Sequence, residues 1–496
     1  MKTERSSGIL LHITSLPGKF GIGTMGKEAY DFVDFLVESG QKIWQILPLG
    51  HTGYGDSPYQ CFSAFAGNPL LIDLERLVQT GLLSENDLPD SSSFSEAEVD
   101  FGRVTTYKPK ILKAAYARFK SNNSKNQKIR FKNFCKKNSK WLEDYAFFMA
   151  LKDYNNGKPW TSWANDIKLR ENDAVNRLKN ELKDQIEYYK FIQFLFYWQW
   201  LELKAYANIR DIKVIGDIPL YVAFDSADAW ANPEIFDFDE DMNPKTVAGV
   251  PPDYFSATGQ LWGNPIYKWE KLSETGFQWW IDRIEASFKL YDILRIDHFR
   301  GLAEYWAVPF GQKTAEKGRW EPAMGEEMLE AVYEALGELQ IIAENLGVIT
   351  PDVEELRENF ELPGMKILQF AFDSGEDNDF IPHSYVKNCV VYTGTHDNDT
   401  TLGRYNESTE EEKQQMREYF RIDESDPAWS FIRLAWSTVA NIAIAPMQDL
   451  LRLDTEARMN FPGKASGYWK WRYKKDQLTG KHAEDLLKLT EIFGRR

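Results

Sequence analysis

The chain has 496 residues, 43% hydrophobic and 27% charged, which are proportions of an ordinary globular protein and exclude a disordered or fibrous one. Acidic residues outnumber basic ones 75 to 59, and the formal charge of -16 repels a phosphate backbone, so nucleic acid is not an expected partner. Cys61, Cys135 and Cys389 supply neither a disulfide framework nor a CxxC metal site, and no run approaches the ~18 apolar residues of a membrane span. The expectation is a cytoplasmic protein that uses no metal or cofactor and has no membrane partner.

Short apolar or β-branched runs bounded by polar, Gly or Pro residues predict strands at 9–13, 42–47, 212–215, 292–296, 339–343, 365–370, 389–393 and 441–445. Helical stripes lie between them, such as Ala29, Phe32, Val33 and Leu36, or Met328, Leu329, Val332 and Leu336. Strands alternating with helices imply a parallel sheet. Eight such units imply an α/β fold of the (β/α)8 TIM-barrel type, with reacting groups at the carboxyl ends of the strands. The stretch between the second and third strands is far longer than one helix requires. Its helical patterning predicts a large, mainly helical insertion at 70–190 within a single catalytic barrel spanning 1–496. A long loop region after the third strand, 219–275, carries PPDYFSATGQLWGNP and is expected to cover substrate.

Gly21-Ile22-Gly23-Thr24-Met25-Gly26 matches GxGxxG formally. A loop separates it from the first strand, and the acidic residue that a dinucleotide site needs about 20 positions on is missing, so nucleotide binding is not expected. The acids that follow strands are more informative. Asp217 follows IKVIG, Asp297 ends ILRI, Glu344 ends IIA and Asp397 follows VYTGTH. One acid after a strand is commonly a helix cap, but four on one barrel face converge on a single pocket. Glycosidic chemistry needs a group that protonates the leaving oxygen and a carboxylate that attacks the anomeric carbon or activates water, roles that suit Glu344 and Asp297. Arg295 lies two residues before Asp297, on the same side of a period-two strand, where its guanidinium favours the ionised carboxylate. His298 and His396 flank the acids and can donate hydrogen bonds to sugar hydroxyls; a structural role for each is as common.

Along nearly the whole chain the sequence resembles the amylomaltase, or 4-α-glucanotransferase, family, whose barrel is related to that of the α-amylases. The matching segments are GYGDSPYQ (53–60), IGDIPLYVAFDSADAWANP (215–233), VAGVPPDYFSATGQLWGNPIY (247–267), RIDHFRG (295–301), AENLG (343–347), LPGMKILQFAF (362–372), GTHDNDT (394–400) and RMNFPG (458–463). The resemblance implies that Asp297 is the nucleophile, Glu344 the general acid/base and Asp397 the acid that grips the reacting sugar. It further implies that Asp217 and His396 hold that sugar, that Tyr59 stacks beneath it, that Tyr54 contacts glucan farther out, and that Trp262 and Asn264 belong to the covering loop. The implied reaction is retaining transfer of α-1,4-glucan segments between malto-oligosaccharides, including those derived from starch or glycogen. An α-glucan hydrolase on the same barrel is the alternative. Ala257 and Tyr468 depart from the family pattern, where Glu and Asn respectively occur in relatives, so loop and acceptor-side contacts are open at those two positions.

Overall fold

A computed structural model of the chain describes residues 4–121, 124–252, 256–373, 378–464 and 466–496, and at Tyr54 the backbone alone. Its central feature is a ring of eight parallel strands: β1 Ser6–Leu10, β2 Ile43–Gln45, β3 Lys213–Ile218, β4 Ile293–Ile296, β5 Ile341–Ala343, β6 Gly364–Ile367, β7 Cys389–Tyr392 and β8 Ile442–Pro446. Each strand except β5 pairs with the next in the chain, and β8 returns to β1. A hydrogen bond from the Ala343 N–H to the Pro363 carbonyl, 3.0 Å, joins β5 to β6 and closes the barrel. All eight predicted strands are present, with ends shifted by a few residues.

The reason lies in burial. Parallel strands covered by helices on the outside and by side chains inside are apolar on both faces, so ILRI, IIA, CVVY and IAIAP read as nearly continuous runs. Close packing also dictates Gly216 in β3, where an added Cβ would meet the Tyr291 ring at 2.1 Å. The residue that follows is Asp217, so this contact helps fix where that acid sits.

Residues 70–190 contain the helices Leu74–Gln79, Phe101–Ser121, Lys125–Lys137, Ser139–Tyr154 and Asn172–Glu181, and the start of a 27-residue helix, Lys183–Ile209. That last helix is about 40 Å long. Its first half buries Phe191 and Phe194 among the inserted helices, against Phe119, Phe131 and Phe134, and its second half buries Trp200 and Leu203, with the Trp200 indole N–H donating to the Leu290 carbonyl at 3.0 Å. One helix thus belongs to both the insertion and the barrel. Trp160 and Trp163 are buried core.

The stretch 219–275 holds more regular structure than a loop. Thr246–Val250 pairs antiparallel with Gln260–Pro265 on one side and with Glu304–Pro309 on the other, and Arg319–Pro322 extends the sheet. Two of these strands come from the connection after β3 and two from that after β4, so their partners lie far off in sequence. The formal GxGxxG is a packing motif: the Gly26 end of helix Lys27–Glu38 faces Asp73, whose carboxylate accepts from Thr24 Oγ1 at 2.7 Å and would lie 2.2 Å from a Cβ on Gly26. Among the described residues no helix is long and apolar enough to cross a membrane.

Candidate active site

The four acids singled out above lie at or beyond the carboxyl ends of β3, β4, β5 and β7. Pairing of β4 with β5 places Arg295 opposite Ile342 and Ile296 opposite Ala343, which makes Asp297 and Glu344 the next residues in register on neighbouring strands. Strands lie about 4.8 Å apart, so the two acids are as close as residues on separate strands become. Backbone bonds carry the ladder past the strand ends: the Asp297 N–H donates to the Ile218 carbonyl at 3.0 Å, and the Glu344 N–H to the Ile296 carbonyl at 3.2 Å.

Arg295 is the electrostatic centre. Its Nη1 lies 2.6 Å from Asp217 Oδ2 and 2.9 Å from Asp297 Oδ1, so one guanidinium joins the acid beside it across β3 and the acid two residues on. Burial pushes the Asp297 carboxyl above its ordinary value while Arg295 opposes the shift. Burial likewise drives Asp217 up to about 7, again against Arg295. The Asp217 side chain has 0% exposure; Tyr59 OH also donates to its Oδ2, at 2.9 Å, and its Oδ1 is enclosed with no hydrogen-bond partner among the described residues. In this conformation its Oδ2 is turned toward Arg295 and Tyr59.

Glu344 is 9% exposed and receives two backbone N–H donors, His298 to Oε2 at 2.7 Å and Leu346 to Oε1 at 2.9 Å. Burial, reinforced by the charge of Asp297, outweighs Arg295 and these donors and raises the carboxyl to about 7. His298 adopts a left-handed backbone with φ of 53°. Such a conformation costs a non-glycine residue about 1 to 3 kcal/mol and persists where the surroundings hold it. Here it accompanies the bond from its own N–H to Glu344. Its ring meets Trp262 edge-on, with centroids 4.7 Å apart, and burial lowers its imidazole to about 3, so it is neutral.

Asp397 and His396 stand on the loop after β7. His396 Nε2 lies 3.4 Å from Asp397 Oδ2. Burial depresses the imidazole, which makes this a contact of a neutral ring with a carboxylate. The Tyr59 ring stacks on His396 at 5.2 Å and 16°, and Trp469 touches both rings at 5.9 Å. Asn264 is buried with both amide atoms engaged: Gln60 Nε2 donates to its Oδ1 at 3.2 Å, and its Nδ2 donates to the Val222 carbonyl at 2.8 Å. Tyr54 lies in a 3-10 turn, Tyr54–Asp56, and its side chain is outside the described residues. Ala257 is exposed, and Tyr468 is half-buried beside Phe461, ring to ring at 6.1 Å.

The comparisons with known proteins are uniform. Residues 11–479 match the family model described as 4-alpha-glucanotransferase. The chain belongs to the 4-alpha-glucanotransferase family. Among its members, the Synechocystis 4-alpha-glucanotransferase is 52% identical over 100% of this chain and 99% of its own, and that of Thermus thermophilus is 48% identical over 100% of both. The solved amylomaltase of Streptococcus agalactiae in complex with acarbose superposes with a TM-score of 0.96 at 43% identity, covering 99% of this chain and 100% of that one. An α-amylase of Geobacillus thermoleovorans, at 10% identity and a TM-score of 0.51, shares the fold alone.

Residues that sequence reasoning left without a role also reach this site. Gln60 and Trp469 are two of them, and His12, two residues beyond β1, is buried with no partner for its Nδ1 among the described residues. Arg458 and Asn460 are two more. Both belong to the RMNFPG segment, which the family resemblance marked without assigning a function. Among the described residues no group of three or more His, Cys, Asp or Glu is arranged to hold a metal ion.

Proposed function

We propose that this member of the family transfers α-1,4-glucan segments between malto-oligosaccharides by a retaining double displacement, with Asp297 as nucleophile and Glu344 as general acid/base. The observation that carries this reading is the placement of the two acids as the next residues past the paired ends of β4 and β5, with Arg295 against Asp297 and a Glu344 carboxyl raised to about 7. Glu344, protonated, gives its proton to the leaving 4-oxygen while an Asp297 oxygen attacks the anomeric carbon. The 4-hydroxyl of a second glucan then loses its proton to Glu344 and attacks the same carbon, and Asp297 leaves. A retaining pair needs this close spacing, since an inverting pair leaves room for a water between acid and base. Asp397 grips the reacting sugar, with His396 as its neutral hydrogen-bonding neighbour and Tyr59 as the ring beneath.

Trp262, on the sheet strand Gln260–Pro265, faces His298 and serves as a glucan contact, while Asn264 fastens that strand to Gln60. Asp217 acts by anchoring Arg295 and Tyr59. Glucans derived from starch or glycogen are the natural substrates in this reading, and free thiols at Cys61, Cys135 and Cys389 support a reducing, cytoplasmic setting. The deciding experiment incubates the protein with pure maltotriose. Glucose, maltopentaose and longer oligomers are expected, with reducing ends nearly constant. Maltose and glucose alone, with reducing ends rising in step, would replace the transferase by a hydrolase.

Tyr59→Ala tests the ring platform. The variant is expected to fold with a modestly lowered melting temperature, because Tyr59 packs on His396 and Trp469 at the barrel mouth and gives one hydrogen bond to Asp217 of β3. Turnover should fall more than about 10-fold, the scale on which a misplaced reactant slows chemistry. Wild-type turnover in a folded variant removes Tyr59 from the site.

A further inference from the structure

Of the reacting acids, Asp397 has the weakest support from its own strand. β7 ends at Tyr392, five positions earlier, and the Asp397 side chain is 42% exposed, so nothing in the barrel ladder fixes its carboxylate. A short segment from the far end of the chain does so instead. Asn460 Nδ2 donates to Asp397 Oδ1 at 2.6 Å, and the Asn460 N–H donates to the His396 carbonyl at 3.1 Å. Arg458 Nη2 donates to the Asp397 carbonyl at 2.7 Å, while its Nε donates to the Asn460 carbonyl at 2.6 Å. The same segment is tied down beneath, where the Trp469 N–H donates to the Met459 carbonyl at 2.8 Å. An ionised carboxylate only accepts hydrogen bonds, so the Asn460 amide must turn its NH2 toward it, and the orientation follows from chemistry.

We infer that Asn460 is a positioning residue for Asp397, holding its carboxylate in the orientation that engages the reacting sugar, with Arg458 bracing both residues through their main chain. The inference rests on the role given above to Asp397. Its physical content is preorganisation. With Oδ1 held by Asn460 and Oδ2 beside His396, the carboxylate loses rotational freedom before substrate arrives, and the interaction it makes in the transition state requires no reorganisation. Asn460→Asp would set two carboxylates within hydrogen-bonding distance, where they share a proton because both cannot ionise at that range.

The test is a double-mutant cycle on the full chain, with transfer from maltotriose as the readout and thermal melting as the check on folding. Asn460→Ala is expected to lower kcat by about 10- to 100-fold with KM changed much less. In an Asp397→Asn background the same substitution should change the rate less than twofold, because the group it positions is gone. Asn460→Asp should move the acidic limb of the pH–rate profile upward, since the shared proton must leave before Asp397 can act. A kcat for Asn460→Ala equal to the wild type, or the same loss in both backgrounds, overturns the inference while leaving the proposed mechanism standing. Full activity in Asp397→Asn alone overturns the role of Asp397 and the inference with it. Should Asn460→Ala lack a cooperative melting transition, Asn460→Ser carries the same comparison.

Discussion

Asp297→Asn, folded as the wild type, is expected to lose transfer from maltotriose by at least about 10⁴-fold, the order seen when a covalent nucleophile is removed. The substitution is nearly isosteric, but an amide oxygen is a far weaker nucleophile than a carboxylate. It also removes the negative charge that Arg295 contacts at 2.9 Å. The guanidinium keeps Asp217 at 2.6 Å, so Arg295 stays anchored and the barrel mouth should hold its shape. Loss of rate is then a statement about chemistry. The check is product formation by chromatography together with a melting curve; a rate within 10-fold of the wild type would remove Asp297 as the attacking group. An independent check reads the configuration of the newly formed linkage in the transfer product: an α-linkage agrees with two displacements, a β-linkage with one.

Glu344→Gln is expected to slow transfer by at least about 10²-fold, because an amide can neither give a proton to the leaving oxygen nor take one from the acceptor. The pH dependence sharpens this. With its carboxyl near 7, wild-type Glu344 is increasingly deprotonated above neutrality, so the first step should slow there and the rate should fall on the basic side. The residual activity of the variant should lack that limb. A basic limb near 7 persisting in Glu344→Gln assigns the titration to another group.

Stability should change with the same group. The Glu344 pKa is raised from its ordinary 4.5 to about 7, so the folded state holds the proton more tightly than the unfolded chain does. The stability this confers is fully present below 4.5 and is lost as pH rises through 7. Gln does not titrate, so the melting temperature of the variant relative to the wild type should rise between pH 5 and pH 8. Part of its initial deficit comes from the NH2 of Gln facing one of the two N–H donors, His298 or Leu346, that now point at carboxylate oxygens. A melting difference constant with pH would contradict the raised pKa.

Local sequence determined the barrel and its acids. Runs such as ILRI and CVVY carry their burial in their own composition, because a parallel strand covered on both faces must be apolar throughout. Asp297 and Glu344 directly end such runs, and Arg295 shares a face with Asp297 through the two-residue period of a strand, which involves no other part of the chain. What tertiary structure decided depends on partners that no period encodes. Tyr59 meets Asp217 across 158 positions, and Asn460 meets Asp397 across 63. The sheet strand Thr246–Val250 finds Glu304–Pro309 only after β4 has intervened. Asp217 shows the difference within one residue. Its place at the end of β3 was legible from IKVIG, yet whether its oxygens face a ligand or turn inward to Arg295 and Tyr59 depends on side chains brought by two other segments. A hydrogen bond needs an atom within about 3 Å at a given angle, and only the folded chain supplies that.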